Sequence, residues 1–153
     1  PAFTGLGSPH WDPYARGTIV GLTRGAGRAH LARATLEAIA YQTVDAVRAM
    51  EQASGIAFAE LRADGGGVHN SWLMRSQADV LGVPVSVPEV SETTALGAAY
   101  LAGVATGTWS EADVRSMWRE AARYEPRMPA AEREQLLAGW GRALDRARGW
   151  ASA

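Results

Sequence analysis

Three consecutive glycines, Gly65 to Gly67, separate an apolar segment from an amphipathic one. A backbone without Cβ atoms can adopt positive φ angles and lets a flat or charged ligand approach closely. The segment after the glycines predicts a helix, whose unpaired N–H groups and positive dipole end point back at them. Asn70, at the start of that helix, carries an amide that can both donate and accept hydrogen bonds. The stretch therefore predicts a strand, a tight turn and a helix that together can hold part of a nucleotide.

The same pattern also occurs in α/β proteins as a plain connection between a strand and a helix. The run has neither the G-x-x-x-x-G-K-S/T spacing of a P-loop nor the G-x-G-x-x-G spacing of a dinucleotide-binding turn. The local chemistry therefore leaves a ligand site and a purely structural turn as equal alternatives.

Composition restricts the classes of protein to which the chain can belong. Its 153 residues are 47% hydrophobic and 20% charged, as in an ordinary globular domain. The net charge of −1 gives no electrostatic case for nucleic acid or an anionic membrane as a partner. All 15 basic residues are Arg, so a Lys phosphate clamp or Schiff base is excluded. The lack of Cys excludes thiolate chemistry and fits the cytoplasm, the location we expect.

The ends of the chain lead to two further expectations. No signal peptide is visible at the start, and the most apolar run, residues 95–107, is shorter than the ~20 residues that a membrane span needs. The first residue is Pro1 rather than Met. We expect the chain to be part of a longer one.

The periodicity of apolar residues predicts alternating strands and helices. The predicted strands cover residues 17–23, 58–63 and 83–88, and the predicted helices cover 28–54, 70–81, 95–106, 110–122 and 130–148. The prolines of the third strand indicate an edge position or the strand ends. On the first helix the predicted core stripe is Leu36, Ile39, Ala40, Thr43, Val47 and Met50. This order predicts an α/β fold with helices flanking a mixed sheet.

Other segments have both a structural and a chemical interpretation. Residues 1–16 predict a structured loop, in which His10 beside Asp12 has the residue types of an acid–base pair, although a surface pair near a turn is commoner. The small residues of the helix over 95–106 allow close packing or a ligand over its N-terminus. Three tryptophans are predicted to anchor the packing of the C-terminal part: Trp118, Trp140 and Trp150.

Several motifs occur in the order and spacing of a known family. They are Pro-Ala-Phe-Thr-Gly-Leu-Gly at 1–7, Trp-Asp-Pro-Tyr-Ala-Arg-Gly at 11–17, His-Leu-x-x-Ala-Thr-Leu-Glu at 30–37, Asp-Gly-Gly-Gly-Val-His-Asn at 64–70 and Glu-Thr-Thr-Ala-Leu-Gly-Ala-Ala at 92–99. These runs resemble the C-terminal half of the FGGY carbohydrate kinases, within the actin/Hsp70/sugar-kinase superfamily. The first two favour the glycerol kinases over the pentulose or gluconate kinases. The resemblance is close over residues 1–107 and loose over 108–150.

The resemblance implies a partial ribonuclease H-like domain over 1–107, with peripheral C-terminal helices of the same domain over 108–153. It implies ATP-dependent phosphorylation of glycerol to sn-glycerol 3-phosphate with Mg²⁺, giving ADP, by a full-length protein that we expect to be a homo-oligomer. Gly66 and Asn70 match the family's contacts with the adenine nucleotide, and Gly65 and Gly67 would shape the turn. His69 stands where the family often has Ala, in a position to stack on or flank the base.

The remaining functional positions of the family match no residue of this chain. Its glycerol-binding residues, its catalytic Asp and most of its phosphate loops would lie upstream of Pro1. We therefore expect no catalytic residue and no metal ligand here, and we expect the chain alone to be inactive. Two alternatives stay open: an FGGY kinase for another acceptor, such as xylulose, ribulose or gluconate, and a non-catalytic actin-like nucleotide-binding module.

Overall fold

A computed structural model describes residues 2–151, in which a three-stranded mixed sheet is combined with five α-helices. Pro1, the first residue of the N-terminal motif, lies outside the described residues. The strands are β1 (Leu61–Arg62), β2 (Val85–Pro88) and β3 (Glu120–Tyr124). The helices are α1 (Arg28–Ser54), α2 (Ser71–Leu81), α3 (Thr93–Ala105), α4 (Glu111–Met117) and α5 (Ala130–Ala147).

The sheet has the order β1-β2-β3, with β1 parallel and β3 antiparallel to β2. Leu61 lies opposite Val85, which in turn lies opposite Tyr124. All four residues of β2 are buried, as expected for a central strand. Pro84 precedes this strand and Pro88 is its last residue, so the prolines mark strand ends and the edge position is wrong.

Helix α1 has the predicted bounds, but the face that it buries differs from the predicted stripe. It ends at Gly55, which adopts φ 70° and donates its N–H to the Glu51 carbonyl at 2.8 Å. The buried residues are Ala40, Tyr41, Val44 and Val47, whereas Ile39 and Met50 of the predicted stripe are exposed. Periodicity alone allows either of two adjacent stripes. The contact of Tyr41 with Trp140, with ring centroids 5.6 Å apart and the ring planes tilted by 37°, belongs to the stripe that the fold uses.

The main core lies where α1, α2 and α5 pack over one face of the sheet. It contains Ala40, Tyr41, Val44, Val68, Leu73, Met74, Ala78, Val80, Val85, Val87 and Leu137. Helix α2 buries Leu73, Gln77 and Val80 as predicted, while Leu81 is half-buried. The buried amide of Gln77 donates to the Ala40 carbonyl at 3.2 Å. This hydrogen bond joins α2 to α1 and offsets the free-energy cost of burying the polar amide.

The strand predicted over residues 17–23 is wrong for the described chain. These residues are irregular and exposed, and Ile19 and Leu22 face solvent. A strand needs a partner for its N–H and C=O groups, and no segment within residues 2–151 pairs with this one. Its β-branched residues favour a strand only where a neighbouring strand is present for them to pack against.

A third strand, β3, was missed where a helix was predicted over 110–122. Helix α4, capped by Ser110 with Asp113, ends at Met117, and β3 follows it. Pairing with the buried β2 satisfies the backbone of β3 and outweighs local helix preference. The proposed division at residue 107 stays a prediction; β3 joins the sheet, and Leu137 of α5 joins the core.

The small residues of α3 permit close packing at one position. The ring of Trp109 lies directly on Gly103, where any Cβ would collide with it. The rest of the helix is largely uncovered, and Leu101 is 74% exposed. The close packing predicted for this helix therefore comes from a single aromatic ring of the chain itself.

Residues 2–16 form the predicted structured loop, held against the C-terminal end of α5. Ala2, Leu6 and Ala15 are buried with Leu144 in a second, smaller cluster.

Of the three predicted tryptophan anchors, Trp118 and Trp140 are half-buried, but Trp150 is exposed. No helix among residues 2–151 is long and apolar enough to cross a membrane.

Two valines of the same segment test the assignment of the core. Val85 is fully buried and Val90 is 50% exposed. We expect Val85→Ala to lower the free energy of unfolding by about 1.5–3 kcal/mol, because it removes two buried methyl groups and leaves a cavity. Val90→Ala, the matched control, should change it by less than about 0.5 kcal/mol. Urea unfolding of both variants measures the difference, and equal losses would contradict the placement of β2.

Candidate functional site

The glycine turn and the loop after β2 lie side by side at one edge of the sheet. Because β1 and β2 are parallel, their carboxyl ends point the same way, and α2 and α3 both begin there. The Gly65 N–H donates to the Ser91 carbonyl at 2.9 Å and joins the two connections. In open α/β sheets the crevice outside the carboxyl ends of parallel strands is where ligands bind.

Gly65 determines the shape of the turn. It adopts φ 77° and ψ −175°, a conformation that is open to glycine and strained for other residues. One turn of 3₁₀ helix, Gly66–His69, follows it, and the buried side chain of Val68 fixes this turn to the core. The predicted role of Gly65 in shaping the turn agrees with this geometry.

Gly66 and Gly67 have no such conformational reason to be glycine. Neither has a positive φ, and a Cβ built on either meets no heavy atom within 4 Å. The fold of the described residues would therefore accept side chains at both positions. Their effect is to leave a stretch of backbone bare and open at the edge of the sheet, which favours a ligand site over a purely structural turn.

The two polar atoms of the Asn70 amide have different roles: one bonds to the fold and the other is left free in the described part of the chain. Its Oδ1 accepts the N–H of Leu73 at 3.1 Å and caps α2. The side-chain atom that accepts this hydrogen bond must be Oδ1 and not Nδ2, because the Leu73 N–H is a donor and the amide nitrogen is a donor as well. Nδ2 has no acceptor among residues 2–151, and Asn70 follows the bare glycines in the sequence and is exposed. Toward a ligand, Asn70 can therefore offer the two N–H donors of Nδ2, while Oδ1 keeps one lone pair.

The charges at this edge indicate which kind of ligand it suits. Helices α2 and α3 present unpaired N–H groups there, and Glu92 at the start of α3 makes no side-chain cap. Asp64, Glu89 and Glu92 are exposed carboxylates next to the glycine turn. A flat, uncharged group with hydrogen-bond acceptors fits this surface better than a cluster of phosphates would.

His10 and Asp12 do not form the acid–base pair considered above. His10 Nε2 lies 3.3 Å from Asp45 Oδ2, which also accepts the indole N–H of Trp140 at 2.7 Å. Asp12 accepts hydrogen bonds from backbone N–H groups. These bonds, of which the one from Gly149 has the largest effect, hold the pKa of the Asp12 carboxyl below the ordinary value. Both residues tie the N-terminal loop to the helices, far in the sequence from the glycine turn.

A concavity that sequence reasoning missed lies at the opposite edge of the sheet, where β2 begins. It has a volume of about 320 Å³ and is lined by Arg75, Asp79, Ala122, Arg123, Tyr124, Glu125 and Arg127. The guanidinium of Arg123 is already held by Glu60, Glu120 and Glu125. With Arg123 paired and the carboxylate of Asp79 also in the wall, this groove is the weaker candidate. Within residues 2–151, no three His, Asp or Glu side chains come together as a metal site.

Comparison with known proteins supports one family. The family described as FGGY carbohydrate kinases, C-terminal domain, matches residues 1–106. A glycerol kinase of Symbiobacterium thermophilum is 61% identical over 99% of this chain and 31% of its own length. The chain therefore spans about a third of the length of this curated relative.

Two solved structures match the described fold. The glycerol kinase of Plasmodium falciparum with ADP has a TM-score of 0.85 and 34% identity, over 96% of this chain and 30% of that one. The xylulose kinase of Rhodospirillum rubrum has a TM-score of 0.75 and 32% identity, over 93% of this chain and 28% of that one.

Alanine substitutions distinguish the turn-forming glycine from the bare one. Gly65→Ala should lower the free energy of unfolding by about 1–3 kcal/mol, because its φ of 77° is unfavourable for a residue with a Cβ. Gly66→Ala should leave it unchanged or raise it by up to about 1 kcal/mol. Thermal unfolding of the two variants measures the contrast. A destabilised Gly66→Ala would show that this glycine serves the fold.

Proposed function

The chain belongs to the FGGY family of carbohydrate kinases, and we propose that it forms the adenine-nucleotide side of a glycerol kinase. It is part of the ribonuclease H-like fold that these sugar kinases share. The observation that carries the proposal is the bare backbone of Gly66 and Gly67, followed in the sequence by Asn70 with an amide nitrogen that has no partner among residues 2–151. The ADP in the P. falciparum structure supports a nucleotide as the ligand.

Glycerol is the acceptor that the comparisons favour. Relatives between 56% and 61% identical over almost the whole chain are named glycerol kinase. The structural match is also better for a glycerol kinase than for a xylulose kinase, with TM-scores of 0.85 and 0.75. A kinase for xylulose, ribulose or gluconate, and a non-catalytic nucleotide-binding module, are therefore less supported.

The chain's part in phosphoryl transfer would be to bind and orient ATP. The bare backbone at Gly66 and Gly67 accommodates one face of the adenine, and Asn70 Nδ2 donates to an acceptor nitrogen on the edge of the base. Holding the base fixes the direction in which the phosphates extend. Phosphoryl transfer depends mainly on such positioning.

Mg²⁺, the second proposed cofactor, would supply the positive charge that stabilises the phosphates during the transfer. The residues at the glycine turn do not form a ligand set for it, since no three carboxylate or imidazole groups converge within residues 2–151. We therefore assign no Mg²⁺ ligand and no step through the metal to this chain. The homo-oligomeric state of the full-length protein stays a prediction.

Several uncovered apolar segments support the view that the full-length kinase continues around this chain. The irregular segment 17–23, the first two turns of α1 and about half of α3 are exposed. Their uncovered side chains include Ile19, Val20, Leu22, Leu31 and Leu101. Apolar surface of this extent is normally covered by other protein. The acceptor site and the base that phosphoryl transfer needs would belong to the rest of the polypeptide.

The purified 153-residue chain should show no glycerol-dependent ADP release, because it has no assigned acceptor site or base. A coupled assay with ATP, Mg²⁺ and glycerol measures this, with the longest natural polypeptide as the positive control. Xylulose, ribulose and gluconate run beside glycerol. Turnover by the isolated chain would contradict the assignment of the chemistry to other parts of the protein.

Two substitutions of Asn70 separate its cap from its ligand contact. In the full-length enzyme, Asn70→Ala should raise the KM for ATP roughly 5- to 150-fold, the equivalent of the ~1–3 kcal/mol lost with a hydrogen-bonding group. Asn70→Ser should raise it similarly but keep the cap, so only the Ala variant should lose about 0.5–2 kcal/mol of unfolding free energy. The KM for glycerol should hardly change in either.

Steady-state kinetics and urea unfolding of both Asn70 variants provide the test. If Asn70→Ser kept the parental KM for ATP, the amide would act only as a helix cap, and the ligand contact would be refuted.

A further inference from the structure

We infer that His69 packs its imidazole against the nucleotide base held at the glycine turn, an inference that rests on the proposed function. His69 is the last residue of the 3₁₀ turn Gly66–His69. In a 3₁₀ helix with three residues per turn, side chains at positions i and i+3 lie one above the other. The side chain of His69 therefore rises from the same face of the turn as the bare Cα of Gly66.

The fold makes no use of this imidazole. His69 is exposed and makes no hydrogen bond or ion pair with any residue between 2 and 151. The other two histidines are both engaged: Nδ1 of His30 accepts the Gly27 N–H at 3.1 Å, and His10 contacts Asp45. His69 is thus the histidine whose ring is left available for a ligand.

The neighbouring residues determine what the ring can contact. Gly66 and Gly67 leave room above the backbone, since no heavy atom lies within 4 Å of a Cβ built on either. Asn70, the next residue, has an Nδ2 group with no acceptor among residues 2–151, so it is available to a ligand at this edge of the sheet. A base that accepts a hydrogen bond from Asn70 at its edge would present its face beside the imidazole.

The contact would favour a purine over a pyrimidine. Removing an aromatic side chain on which a base stacks weakens binding by roughly 5- to 150-fold. A bicyclic purine has a larger and more polarisable face than a pyrimidine and stacks more strongly, so His69 would add to the selection of an adenine nucleotide. Asn70 would recognise the edge of the base, and His69 would recognise its face.

The test measures the Kd for ADP by calorimetry on the longest natural polypeptide that contains this chain. We expect His69→Ala to raise the Kd for ADP by about fivefold or more, and His69→Phe, which keeps a flat ring, to stay within about threefold of the parent. The Kd for ribose 5-diphosphate, which has no base, should be the same in all three proteins. The KM for glycerol and the melting temperature should also be unchanged.

Four outcomes are distinguishable. Loss of ADP affinity in His69→Ala that His69→Phe restores, with unchanged ribose 5-diphosphate binding, supports the contact with the base. An unchanged Kd for ADP in His69→Ala, while Asn70→Ser weakens binding, overturns the role of His69 and leaves the nucleotide site standing. Equal losses for ADP and ribose 5-diphosphate overturn the contact with the base, since the ring would then act on the sugar or phosphates. A parent that binds no ADP overturns both proposals.

Discussion

The parallel pairing of β1 with β2 is the contact on which the arrangement of the site depends. The Leu61 N–H donates to the Pro84 carbonyl at 2.9 Å, and the Ala63 N–H donates to that of Ser86 at 3.0 Å. These bonds orient both strands the same way, so the glycine turn after β1 and the loop after β2 emerge together. The burial of Val85 against α1 and α2 holds β2 in the centre of the sheet. An antiparallel pairing would have sent the two connections to opposite edges and separated the starts of α2 and α3.

Within the turn, the conformation and the proposed contacts with a ligand belong to different residues. Gly65 supplies the conformation, whereas Gly66 and Gly67 supply open space that the fold does not require. Asn70 serves both purposes with different atoms, because its oxygen caps α2 and its nitrogen stays free. The site is therefore rigid on the protein side, since the helix that it opens also holds the amide in place. Such preorganisation reduces the entropy that binding would otherwise cost.

Features encoded by neighbouring residues could be predicted from the sequence, and features that depend on distant partners could not. The ends of α1 and α2 follow from Gly55 and Gly82, and the start of α2 follows from the capping side chain of Asn70. The strand predicted over 17–23 fails because the described chain holds no partner for it, and β3 was missed because β2 stabilises it across 35 residues of sequence. The sequence shows the run of glycines, but only the structure distinguishes Gly65, whose conformation the turn requires, from the two glycines that the fold could replace.

Hydrogen exchange of the full-length polypeptide, measured with and without ADP, tests the central claim most directly. Backbone amides at a binding surface exchange more slowly when the ligand covers and orders them. The account predicts slower exchange in the presence of ADP at residues 65–70 and in the loop over 89–93. Protection confined to residues 75–79 and 122–127, around the groove at the opposite edge of the sheet, would contradict it, as would unchanged exchange across the whole chain.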